Sequence, residues 1–292
     1  ATIDRLKTCS EHIPLIRLQS LDLDSVNAIC ADALNTDGQS VGQLADLVLK
    51  KTGGNPFHVG EFLMSLYMTG LLIFDHRQGV WQWDLSHIQS RNITDNIVEL
   101  MADKIQRLNK QTQACLKLAA CLGSRFSLED LALVMKKEES ETEEFLSQAV
   151  EEGLLLPLEP ELSLSLLRAG ADREDAAEFR FCHDRVQQAA YGCIPDAEKR
   201  FVHATVGRLL LQGTPRREWE KKILNIVDQL NLGLEFITEE DERMLLAELN
   251  LLAGRKAQAS AAFEAGLRYF QAGIRALEEH PLPQRESLAL EL

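Results

Sequence analysis

From Pro195 onward the apolar residues recur at helical spacing through four successive segments, EKRFVHATVGRLLLQ, REWEKKILNIVDQLNLG, EEDERMLLAELNLLAGRKAQAS and AAFEAGLRYFQAGIRALEE, joined by short polar links. An amphipathic helix must bury its apolar stripe, so this part of the chain has to fold as helices packed pairwise against neighbours. The small residues Ala253, Gly254, Ala257 and Ala261 predict close approach within the last pair, with Ala265, Tyr269 and Phe270 farther along. The closing ESLALEL reads as the start of another helix, and the chain opens without Met, so it reads as a piece of something longer with further repeats expected beyond it.

The stretch before Pro195 mixes helices with short strands. ITDNIVELMADKIQRL and KQTQACLKLAACLG read as two helices, SLEDLALVMKK and ESETEEFLSQAVEEG as two more, and LLLPL and EFRFCH as strands. Helices followed by a two-stranded wing is the order of a winged helix, a helix-turn-helix relative. Its recognition-helix slot holds Glu139, Glu141, Glu143, Glu144, Glu151 and Glu152 and no Lys or Arg. DNA affinity comes mostly from phosphate contacts, so a helix of this charge is repelled by DNA and the module is expected to be a protein-binding or interdomain module. The polar segment between the two strands reads as a mobile loop.

The first part opens with a short apolar segment around IPLIRL and then a helix capped near Asp22, with Val26, Ile29, Cys30, Ala33 and Leu34 on one face. In KTGGNPFHVGEFL, Gly53 and Gly54 end one helix through left-handed backbone, Asn55 caps the next, and Pro56 fits its first position, where a missing N–H costs nothing. LLIFDHRQGVWQWD reads as a β-hairpin whose Trp81 and Trp83 share a face that packs on neighbouring helices.

The formal charge of −14 works against any general attraction to nucleic acid or anionic membrane. Six scattered cysteines form neither a C-x-x-C pair nor a zinc spacing and read as reduced, mostly buried thiols of a cytoplasmic protein. No apolar run approaches the roughly 20 residues that span a bilayer. The chain contains no G-x-x-x-x-G-K-[ST] phosphate loop, nucleophile elbow, H-E-x-x-H helix or kinase signature, so no catalytic residue is expected in it. His12, His76, His87, His203 and His280 read as ordinary polar residues, and His58 suits solvent or packing. His183 lies where the wing strand meets a helix, with Asp184 beside it. Two local readings stand. The helix N-terminus with the imidazole forms an anion site for a phosphate, or Asp184 caps the helix while His183 fills the strand end.

The order of parts resembles the signal-transduction ATPases with numerous domains (the STAND class of AAA-type ATPases), which includes the maltose-regulon activator and the nucleotide-binding resistance and apoptosis proteins. The resemblance implies a mainly α fold in three parts. Residues 1–90 correspond to the helical lid with a β-hairpin, 91–195 to the winged helix, and 196–292 to tetratricopeptide-like helical repeats. Gly54, Asn55 and Pro56 match the lid motif, whose proline meets the adenine. Cys182, His183 and Asp184 stand where the resistance branch has Met-His-Asp, whose His reaches the β-phosphate of ADP; Cys replaces the usual Met. More closely, LADLVLKKTGGNPFHVGEFLMSLYMTGLLIFD, VWQWDLSHIQSRNITDNIVELMADKIQRL and FRFCHDRVQQAAYGCIP look like the ATPase segment of large signalling proteins that carry serine/threonine-kinase-like and histidine-kinase domains. That resemblance implies a P-loop domain preceding residue 1, ATP or ADP as ligand with Mg in the parent protein, and protein partners on the repeats, with no DNA and no membrane segment. The implied role is a nucleotide-dependent switch controlling an output kinase. The alternatives are a nucleotide-independent repeat scaffold and the regulatory part of a transcriptional activator.

Overall fold

The computed structural model describes residues 18–90, 97–158 and 177–277, and these are mainly helical. Most of IPLIRL, the polar loop of the wing, ESLALEL, Cys9, His12 and His280 lie outside the described residues. The chain forms two compact units divided between Leu100 and Met101.

The first unit contains helices α1 (Leu23–Ala33), α2 (Gly42–Thr52) and α3 (Pro56–Met68), a hairpin of β1 (Leu72–Asp75) and β2 (Val80–Trp83), and α4 (Leu85–Ser90). Asp22 caps α1 by accepting the Ser25 N–H at 2.9 Å. Val26, Cys30 and Leu34 form its buried stripe, spaced by four residues, whereas Ile29 and Ala33 are exposed. The predicted face was therefore too wide. Val26 and Cys30 join Leu44, Val48, Val59 and Phe62 in one core. The hairpin register pairs Leu72 with Trp83 and Phe74 with Trp81, so both tryptophans fall on the face that packs on this core, as expected. The Trp81 ring also meets Tyr67 of α3 edge-on at 5.6 Å.

The second unit begins within α5 (Ile97–Gln106) and runs through α6 (Lys110–Leu122), β3 (Arg125–Ser127), α7 (Leu128–Met135), α8 (Glu139–Glu151), β4 (Leu155–Pro157) and β5 (Glu178–Phe181). Its antiparallel sheet has the order β3-β5-β4, which with the helix order is the winged-helix topology. Sequence reading expected two strands in the wing. The third, β3, is too short to show an alternation, and it is fixed by pairing with β5 and by Phe126 stacked on Phe179 at 6.0 Å.

Helices α9 (Asp184–Gly192), α10 (Asp196–Gly213), α11 (Trp219–Leu232), α12 (Glu240–Ala259) and α13 (Phe263–Leu277) complete the unit. The first helical pair lies directly on the winged helix. A Cβ on Gly213 would approach the Leu133 side chain of α7 to 2.4 Å, and Lys222 of α11 bonds Asp130 at 2.7 Å and Glu129 at 3.2 Å. Burial alone would lower the Lys222 ammonium, but those carboxylates outweigh it and hold its pKa above the ordinary value. Asn231 and Asn250 exchange amide hydrogen bonds at 2.9 Å in both directions, pinning α11 to α12. In the α12–α13 hairpin a Cβ on Gly254 would lie 2.2 Å from the Phe270 ring, so glycine is what allows the two helices to close. Ala253 and Ala257 are buried as expected, but Ala261 is exposed in the turn at φ 57°, because α12 has already ended.

Candidate functional site

The lid-motif residues form one corner of the first unit. Thr52 turns its hydroxyl back to the Val48 carbonyl at 2.8 Å, and Gly53 ends α2 in left-handed backbone at φ 61°. Gly54 follows at φ 73°, and its carbonyl accepts the Leu21 N–H at 2.8 Å. A Cβ there would stand 2.2 Å from the Leu21 carbonyl oxygen, so only glycine lets the chain before α1 lie against the corner. The Asn55 side chain accepts from the N–H groups of Phe57 at 3.0 Å and His58 at 3.4 Å, and Pro56 occupies the first helical position. Gly54 is buried, Asn55 half-buried and Pro56 exposed. The ring of Pro56 is thus the part of the motif that solvent or a ligand reaches.

His183 and Asp184 lie together in the second unit, where β5 passes into α9. The strand end is held on both sides, Phe181 N–H donating to the Ser124 carbonyl at 3.0 Å and Cys182 N–H to the Leu154 carbonyl at 3.1 Å. His183 is extended, at φ −154° and ψ 150°, and is itself the N-cap: its Nδ1 accepts the Arg185 N–H at 3.1 Å. The reading in which Asp184 caps the helix is corrected, because Asp184 is already the first helical residue and is exposed, where its charge favours the positive end of the helix. Acceptance at Nδ1 places the imidazole proton on Nε2, which makes that edge a hydrogen-bond donor. A half-buried donor beside a helix N-terminus has the polarity to meet a phosphate oxygen.

One polar constellation was passed over in the sequence. His203 is 4% exposed, its Nδ1 is 2.7 Å from the Gln229 Oε1, and its Nε2 is 2.9 Å from the Tyr191 hydroxyl. Gln229 in turn donates its Nε2–H to the Cys121 carbonyl at 2.6 Å. The fixed carbonyl orients the whole relay: the amide nitrogen faces Cys121, so the amide oxygen takes Nδ1–H, and Nε2 accepts from the tyrosine. The relay ties α9, α10 and α11 to α6 and fully uses the histidine, which makes it a structural group. Its signal in the sequence was position, since His203 shares a helix face with the buried Gly207 and Leu210.

Burial pushes the thiols of Cys115 and Cys121 up to about 12 and that of Cys30 to about 11, so these cysteines are inert. Among the described residues no cluster of His, Cys, Asp and Glu could hold a metal ion, and no helix is long and apolar enough to cross a membrane.

No family model matches the chain. Over 90% of its length it is 30% identical to hybrid signal transduction histidine kinase G of Dictyostelium discoideum, of which the match covers 9%. Over 97% of its length it is 20% identical to the peroxide stress-activated histidine kinase mak3 of Schizosaccharomyces pombe, of which it covers 11%. The chain thus spans about a tenth of the length of the relatives it matches.

Proposed function

We propose that the chain is a regulatory segment of a multidomain signalling kinase, acting as a switch that responds to ADP and ATP and as a protein-interaction module controlling the output kinase. The observation that carries this reading is the similarity, along nearly the whole chain, to about a tenth of each of two histidine kinases. The nucleotide part of the proposal rests on the class resemblance, and the local geometry supports it in two places. Pro56 offers an exposed apolar ring suited to a base, and His183 offers an Nε2–H donor suited to a phosphate oxygen. The sequence has no loop that cradles phosphates, so these residues supply rim contacts only. In the proposal a P-loop domain completes the pocket, and a His183 contact made only in the ADP state provides the differential affinity that a switch requires. A peroxide response like the one in the name of mak3 would need an accessible thiolate, and Cys30, Cys115 and Cys121 are poor targets for that chemistry.

A nucleotide-independent scaffold competes on one observation: every residue of the Gly54–Asn55–Pro56 corner has a complete structural role. His183→Ala in the kinase-bearing protein separates the two. The switch expects weaker ADP retention and higher basal kinase output; unchanged retention and output establish the scaffold. The isolated 292-residue chain is expected to bind ADP weakly or not at all, and micromolar affinity by calorimetry contradicts a pocket that needs a second domain.

A further inference from the structure

On the outer face of the wing sheet Arg125 of β3 stands directly opposite Arg180 of β5, with the partly exposed Leu156 of β4 next in the row. Like charges directly opposite one another destabilise a sheet. Both arginines are exposed, and among the described residues neither has an ion pair or side-chain hydrogen bond. Glu178, on the same face two residues from Arg180, pairs with neither. In a chain with 45 acidic and 31 basic residues, two guanidinia that face each other with no carboxylate paired to them among the described residues call for an explanation.

Arg125 also lines a small cleft of about 20 Å³, room for about one water, between the winged helix and the first helical pair, with Thr214, Lys222 and Asn225 along its other side. Thr214 is 6% exposed, and among the described residues its hydroxyl has no hydrogen-bond partner. A buried hydroxyl without a partner is costly, and one beside an uncommitted guanidinium marks a place where an acceptor belongs. The acidic group of the cleft, Asp130, is held by Lys222 at 2.7 Å.

We propose that Arg125 and Arg180 form a binding site for a phosphate group, free or carried on a peptide side chain. Two guanidinium forks match a phosphate in charge and in the number of oxygens they grip, whereas a single carboxylate is satisfied by one fork. This site is independent of the Pro56 and His183 reading and survives or fails separately from it.

The test is calorimetric titration of the 292-residue chain with inorganic phosphate, a phosphoserine peptide, its unphosphorylated parent and a short DNA duplex. Saturable binding of phosphate or of the phosphopeptide is expected, and the parent peptide should not bind. Arg125→Gln and Arg180→Gln should each weaken binding about tenfold, and the double variant should abolish it. The same variants remove a like-charge pair, so their Tm should stay level or rise, which separates lost binding from lost folding. Binding of the phosphopeptide alone assigns the site to peptide-borne phosphate. Equal binding by wild type and double variant, no saturable binding of either phosphate source, or preference for the duplex overturns the proposal.

Discussion

Two helix starts in this protein do the same job with different residues. At α3 every position holds a residue type that local physics favours: left-handed glycines at 53 and 54, Asn55 as cap and Pro56 in the first turn. At α9 the cap is His183, outside the favoured set, while Asp184, one of the better capping residues, stands one place too late to use it. The first corner is explained by stability alone. The second holds a residue outside the set that capping favours, which makes His183 the sharper position at which to test for function even though the glycine-proline motif is the more conspicuous sequence.

The sharpest way to break this contrast is at Gly54. Gly54→Ala combines a backbone clash with Leu21 and a left-handed φ, and should destabilise the first unit by about 3 kcal/mol or more. The chain's three tryptophans allow each unit to be followed alone in urea, Trp81 and Trp83 for the first and Trp219 for the second. A loss much below about 1 kcal/mol would mean the corner relaxes, removing the structural reason for that glycine.

The second unit supplies its own control in a histidine whose role is structural. Gln229→Leu leaves His203 Nδ1–H and the Cys121 carbonyl without partners, and should cost about 2 to 4 kcal/mol in the transition reported by Trp219. The first unit should be unaffected. Asn55→Ala should follow with about 1 kcal/mol in the first unit, the usual cost of losing a cap.

Legibility followed range of interaction. The corner at 53–56 was readable because cap, proline and glycine act within one turn, and the hairpin face of Trp81 and Trp83 because alternation fixes it. The winged-helix order was readable from its helices and two strands, whereas β3 was not, since three residues carry no periodicity and their pairing lies more than fifty residues away. His203 was misjudged for the same reason: its partners Tyr191 and Gln229, and the Cys121 carbonyl that orients Gln229, come from three other helices, and no local pattern announces them. The opposition of Arg125 and Arg180 likewise exists only once the register is known.

The smallest expected effect is the most discriminating. His183→Asn puts a favoured cap where an unfavoured one stands, so the second unit should become more stable by a few tenths of a kcal/mol, up to about 1. Asn retains the acceptor that takes the Arg185 N–H but cannot place a donor where Nε2–H stands. If nucleotide response is the reason for the histidine, the variant gains stability and loses ADP-dependent control of the kinase, the signature of a residue kept against stability for function. If the variant instead loses stability, the imidazole is holding the strand end in place, and the two helix starts become alike: both are built for the fold, and the nucleotide must be sought elsewhere.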